Sequence, residues 1–136
     1  MAISNVARVR TRKYSDIDLD FTPHPVTKDL VIKTNEEAVK RAVRNLILTN
    51  AYERPFHSEI GGDVRALLFE NVDVFTATRL ETRIRFQLQN FEPRVETLNV
   101  IVLANLDSNG FDVKLEFLIK NLPNPVTIDV FLEKLR

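Results

Sequence analysis

Residues Val95–Ile119 read VETLNVIVLANLDSNGFDVKLEFLI, and their pattern decides the fold class. Residues 95–104 and 111–119 are both rich in β-formers, and DSNG between them (Asp107–Gly110) is a hairpin turn. In the second half Phe111, Val113, Leu115, Phe117 and Ile119 alternate with Asp112, Lys114 and Glu116, so one face is buried and one is wet. After a turn at NLPNP, the segment VTIDVFLE alternates again through Val126, Ile128, Val130 and Leu132. Three such strands in succession predict an antiparallel meander.

Upstream the period changes to that of helices. LVIKTNEEAVKRAVRNLILTN predicts a first helix, with Thr34 and Glu37 at capping-box spacing. Its Ala38, Val39, Ala42, Val43, Leu46 and Ile47 fall on one face, with Lys40, Arg41 and Arg44 on the other. That basic face reads as solvated surface, available to an acidic partner. YERPFHSEIGGDV is a loop in which Gly61-Gly62 supplies a tight turn. Asp63 then caps a short helix reaching about Phe69. A second long helix, Phe75 to Asn90, carries the stripe Ala77, Leu80, Ile84, Leu88 and Phe91 and is ended by Pro93. Helices followed by a meander predict one α+β domain, two longer helices and a short one packed on one face of a small antiparallel sheet.

The domain is expected over 34–136, preceded by an extended arm over 1–33. Residues 1–13 are polar and basic, with too little apolar content to fold alone. In YSDIDLDF, Ile17, Leu19 and Phe21 alternate with Asp16, Asp18 and Asp20, which predicts an extended segment laying its apolar edge on the domain. A calcium loop of the EF-hand kind also requires a central glycine and a distal glutamate, both missing here.

Composition removes several function classes. The 136 residues are 44% hydrophobic, enough for one compact core. Nineteen basic residues balance nineteen acidic ones, so no overall charge favours nucleic acid or membrane. The absence of cysteine excludes disulfides and thiolate metal sites and suits a reducing, cytosolic setting. No stretch of about 18 apolar residues is available to span a bilayer, and the basic start lacks the apolar run of a secretory signal. No serine lies in a G-x-S-x-G context and no glycine loop suits phosphate. His24 and His57 stand in separate loops and read as surface residues. Glycoside hydrolysis needs two carboxylates about 5–10 Å apart in a sugar cleft. Glu53, Glu59, Asp63, Glu70 and Glu92 are candidates, but with no tryptophan and two tyrosines the sugar-stacking platform is poor. No catalytic residue, metal or cofactor is assigned.

At the end of the second helix, Glu92-Pro93-Arg94 places an acid and a base around a fixed backbone. The proline is expected to keep the two side chains from pairing, so that each faces outward at the corner. Arginine there suits bidentate contacts with a partner's carboxylates or carbonyls. The internal alternative has Glu92 holding nearby amides.

RPFHSEIGGDVRALLFEN, about twenty helical residues, and NFEPRVETLNV together resemble the baseplate-wedge and sheath-initiator family of contractile-tailed bacteriophages. That family has relatives in type VI secretion and other contractile injection systems. The likeness spans roughly residues 39–132 and is carried by Arg54-Pro55-Phe56, Gly61, Asp63, Leu68-Phe69-Glu70 and Glu92-Pro93-Arg94. YSDIDLDF also looks like the family's opening segment.

The resemblance implies a structural part of the virion's tail baseplate, assembled in the host cytoplasm, with six copies around the tail axis. It implies contacts with other wedge proteins and their helical core bundle, with the tail sheath protein, and with tail tube or hub proteins. It does not imply contacts with nucleic acid or membrane. The implied partner-binding residues are Arg54, Glu92, Pro93 and Arg94, with the strand Val126, Ile128, Val130 and Leu132 offering an edge that starts sheath polymerisation. A lysozyme-like label also attaches to the family, so the runner-up is a peptidoglycan-cleaving glycosidase. A small adaptor protein is the third class.

Overall fold

The computed structural model describes residues 14–18 and 20–135. The basic stretch 1–13 and Leu19, both part of the expected arm, lie outside the described residues.

Strand β1 (Ser15–Ile17) pairs antiparallel with β2 (Ile32–Thr34) in a two-stranded ribbon. Helix α1 (Glu36–Leu48), the single turn α2 (Val64–Leu67) and α3 (Val74–Phe91) follow. The chain then forms the meander β3 (Val95–Asn105), β4 (Gly110–Ile119) and β5 (Pro125–Glu133), in the order β3-β4-β5. The fold is thus α+β. Leu103, Asp112 and Phe131 form one cross-strand row, which fixes register across all three strands. In β3 the pairing shifts between Thr97 and Asn99, leaving Leu98 as a bulge.

The core lies between this sheet and the helices. Central strand β4 contributes Phe111, Leu115, Phe117 and Ile119, all essentially inaccessible, to one cluster with Val39, Val43 and Ile47 of α1 and Leu80, Ile84 and Leu88 of α3. Each fully buried side chain of this size contributes roughly 1.5–3 kcal/mol. An exposed ion pair such as Lys40–Glu36 contributes about 0–1 kcal/mol. Apolar burial therefore holds the domain, and the charges decide how its parts are arranged.

Two local expectations are corrected. Thr34 does not cap α1, because it ends β2; Asn35 takes the N-cap position at φ 52°, ψ −117° with no side-chain cap. The Asn35 amide donates instead to the Tyr14 carbonyl at 2.7 Å, so the chain turns straight from strand to helix. The acidic string also does not lay Ile17 and Phe21 on the domain. Ile17 and Phe21 are exposed, whereas Asp18 is only 4% exposed. Arg41 of α1 explains the burial of Asp18: its guanidinium reaches Asp18 at 3.0 Å and Asp20 at 2.7 Å. That ion pair holds the Asp20 carboxyl below the usual carboxylate range and raises Arg41. Part of α1's basic face is therefore occupied by the chain's own aspartates.

At α3 the missed N-cap is Asp73, whose side chain accepts from the Thr76 amide at 2.7 Å. The turn before α2 does need its glycine. Gly61 sits at φ +140°, and a Cβ there would lie 2.5 Å from the Asn50 carbonyl oxygen. Gly61→Ala is expected to cost at least about 2 kcal/mol of stability in urea unfolding, because strain and a backbone clash combine. An unchanged midpoint would show that the loop relaxes freely.

Candidate functional site

Pro93 cannot continue α3, and the chain leaves the helix at Glu92, whose amide still donates to the Leu88 carbonyl. Glu92 then accepts the Val95 amide on its own carbonyl at 3.1 Å, closing the corner into β3. Its side chain is turned inward and the residue is 5% exposed. Arg94 meets it with two parallel bonds, Nε to Oε1 at 2.6 Å and Nη2 to Oε2 at 2.7 Å.

The expectation that proline separates these two side chains is thus corrected. The fixed backbone places positions 92 and 94 on the same side, and the planar guanidinium fits the carboxylate as a fork. The Glu92 hydrogen bonds raise the Arg94 guanidinium pKa above its ordinary value, against a smaller lowering by burial.

Tyr14, which the sequence reading passed over, completes the corner. The Arg94 guanidinium carbon lies 5.7 Å from the centre of its ring. The Tyr14 hydroxyl donates to the Lys120 carbonyl at 3.3 Å and accepts from Asn121 Nδ2 at 3.1 Å. Lys120 in turn donates its amide to the Arg94 carbonyl at 2.9 Å. The start of the described chain, the α3–β3 corner and the β4–β5 turn therefore meet around one guanidinium. The only sequence signal for Tyr14 was an isolated aromatic in front of the acidic string.

Arg54 comes to the same place from the loop between α1 and α2. With Ile60 it forms one wall of a cleft of about 500 Å³ whose other wall is Phe91, Glu92, Pro93 and Arg94. Asp16 of β1 and Leu46 of α1 also line it. Four of the residues singled out from sequence thus converge. The loop is pinned by Tyr52 N–H to the Ser58 carbonyl and by Glu53 accepting from Asn50. Its Tyr52 and Phe56 are held at φ 68° and 67°, and Phe56 is 100% exposed. Left-handed backbone at bulky residues costs of order 1–3 kcal/mol each and concentrates at ligand-facing loops.

The remaining sequence-chosen residues lie elsewhere. Val126, Val130 and Leu132 point into the core and Ile128 is half-buried, so β5 has its backbone edge to offer. His24 and His57 stay apart: the first accepts amides of its own turn, and the second lies 3.2 Å from Glu59.

The family model described as baseplate wedge protein gp25 matches residues 33–123. The baseplate wedge protein gp25 of Enterobacteria phage T4 is 31% identical over 113 residues, 83% of this chain and 85% of that protein. A Geobacter sulfurreducens crystal structure, described as a candidate tail lysozyme, aligns with TM-score 0.63 at 20% identity, covering 76% of this chain and 96% of that one. A chain in the cryo-EM structure of the anti-feeding prophage baseplate aligns with TM-score 0.63 at 18% identity, covering 91% and 88% respectively. A chain of the post-contraction pyocin R2 baseplate aligns with TM-score 0.52 at 16% identity, covering 81% and 96%. At these identities the three structures establish the shared fold alone.

Removing one partner of a buried pair leaves the other charge desolvated. Arg94→Ala is therefore expected to destabilise the domain by roughly 2–4 kcal/mol, discounted from a fully buried pair because Arg94 is partly exposed. Arg94→Lys is expected to fall between, since an ammonium cannot make the fork. Thermal unfolding checks both. A Tm for Arg94→Ala equal to that of the parent would mean that Glu92 finds another partner or water.

Proposed function

The chain belongs to the gp25 family of baseplate wedge proteins, and from that premise we propose that it docks through the Arg54–Arg94 cleft and starts the sheath from its β5 edge. As a member of that family it is a component of the baseplate of a contractile tail and works among other baseplate proteins. The observation that carries the docking reading is the convergence of Arg54 with Glu92-Pro93-Arg94 on one cleft. In this reading the inner fork of Arg94 holds the corner rigid. Arg54, Pro93 and the exposed remainder of the Arg94 guanidinium meet neighbouring wedge proteins. Tail tube and hub contacts, and six copies around the axis, belong to the same proposal.

For the sheath, an open antiparallel sheet offers a partner two rows of backbone groups. The β3 edge is interrupted by the Leu98 bulge, whereas β5 pairs with β4 over nine consecutive residues without a shift. A groove of about 570 Å³ also runs between β5 at Ile128–Val130 and the flank of α1. Both features favour β5 as the strand to which the first sheath subunit adds.

The role is structural rather than hydrolytic in this proposal. Glu92 is the carboxylate that the corner motif places in the cleft, and both its oxygens are engaged by Arg94. It is a poor general acid or base in that state.

Arg54→Ala separates docking from folding. No ion pair of Arg54 occurs among the described residues, so stability is expected to change by no more than about 0.5 kcal/mol. Recovery of assembled baseplates is expected to drop at least about tenfold, the scale for losing an arginine that is an interface hot spot. Normal baseplates from this variant would place docking elsewhere.

A proline scan over Thr127, Ile128, Asp129 and Val130 tests the edge, because successive amides in a strand point alternately toward β4 and away. Prolines that replace outward amides are expected to leave the domain folded and stop sheath growth on assembled baseplates. Prolines that replace inward amides are expected to unfold it. Full sheaths on every folded variant would move the sheath contact off β5.

A further inference from the structure

The run Leu68-Phe69-Glu70, singled out from the sequence, takes no part in the cleft or the β5 edge. Glu70 instead pairs with Arg79 of α3, nine residues on. Arg79 stands beside a groove of about 430 Å³ between α2 and α3, lined by Leu67, Thr78, Arg79, Thr82, Arg83 and Phe86.

The groove is more apolar than that composition suggests. Thr78 and Thr82 turn their hydroxyls back onto the Val74 and Thr78 carbonyls, at 2.9 and 3.1 Å, so their methyl groups are left for the groove. Phe86 is 59% exposed, and Phe75, one turn before Thr78 and Arg79 on the same helix, is 83% exposed. Two phenylalanines this exposed, with Val74 of the same helix 75% exposed beside Phe75, mark a contact surface rather than incomplete burial.

Two features define the occupant. Every wall here is helical side chain, and the amides of α3 are bonded within the helix. A partner must therefore bring a backbone already satisfied, which a helix does and an added strand does not. Thr78, Thr82 and Phe86 form one i, i+4 ridge and Arg79 and Arg83 the next, and such ridges receive the ridge of a second helix. The charged groups lining the groove are both arginines. Arg83 reaches its acid, Asp63, only at 3.7 Å with both side chains about half exposed.

We propose that this α2–α3 groove receives an amphipathic helix of another baseplate protein, its apolar stripe seated on Phe86 and Phe75 and acidic residues flanking that stripe against Arg83, while Arg79 stays held by Glu70. The surface is separate from the Arg54–Arg94 cleft and from β5, so it stands or falls independently of both.

The test is photo-cross-linking in assembled baseplates carrying the full chain with Phe86→p-benzoyl-phenylalanine. The same replacement at Asp107, in the β3–β4 turn, serves as control. Cross-links from position 86 are expected in a partner segment with apolar residues spaced three and four apart and Asp or Glu beside them. Arg83→Glu, exposed and so harmless to folding by melting temperature, is expected to cut that cross-link about tenfold by placing like charges together. Arg83→Lys is expected to retain most of it. The proposal is overturned if position 86 yields no more product than position 107, or if the product maps to an extended segment or to a second copy of this chain. It is equally overturned if Arg83→Glu leaves the yield unchanged.

Discussion

A carboxylate and a guanidinium two residues apart, joined through a proline and turned inward together, are the constraint on which the corner of this molecule depends. Burying Glu92 without Arg94 is costly, because a lone charge in the interior retains its desolvation penalty. With Arg94 present, both carboxylate oxygens accept short bonds and the α3–β3 turn has one geometry. The same guanidinium faces Tyr14, whose carbonyl accepts the Asn35 amide before α1 and whose hydroxyl bridges to Lys120 and Asn121 after β4. One ionic fork thus sets the relative placement of the ribbon, the helices and the sheet. A cleft formed by residues from several of these segments is preorganised as a result.

Charge and apolar surface are used in an inverted way around this corner. The ribbon turns Asp18 inward to Arg41 and leaves Ile17 and Phe21 in solvent, while Phe56, Phe75 and Phe86 stand out from loop and helix. A lone soluble domain gains nothing from that distribution; a component built to be covered on several sides does. In the proposed reading that apolar surface supplies area for partners, and the internal ion pairs hold it in place. Family membership in the baseplate wedge proteins agrees with such a design.

The legible part of the fold was the part governed by periodicity. The alternation from Phe111 to Ile119 and the helical stripe from Ala77 to Leu88 reappear as buried faces, because burial acts on many residues at once and averages over local detail. What escaped the sequence reading depends on single long-range contacts. Whether Thr34 caps a helix is decided by Tyr14 taking the next amide, and the burial of Asp18 while Ile17 and Phe21 stay exposed is decided by Arg41. The corner motif is visible in the sequence, but its internal geometry is not: spacing alone suggests that proline separates its neighbours, whereas here it brings them to the same side. That Arg54 joins the corner was suggested only by family resemblance, since no local spacing links residues forty positions apart.

A double-mutant cycle on Glu92→Gln and Arg94→Gln, followed by chemical unfolding, measures the central interaction without the cavities that alanine leaves. The charged fork is expected to show a coupling free energy of about 2 kcal/mol, the scale of a charge-assisted hydrogen-bonded pair. In that case each single variant costs nearly as much as the double. Additive effects, with coupling below about 0.5 kcal/mol, would contradict the account. They would mean that water or other groups satisfy Glu92 and that the corner is held by packing alone.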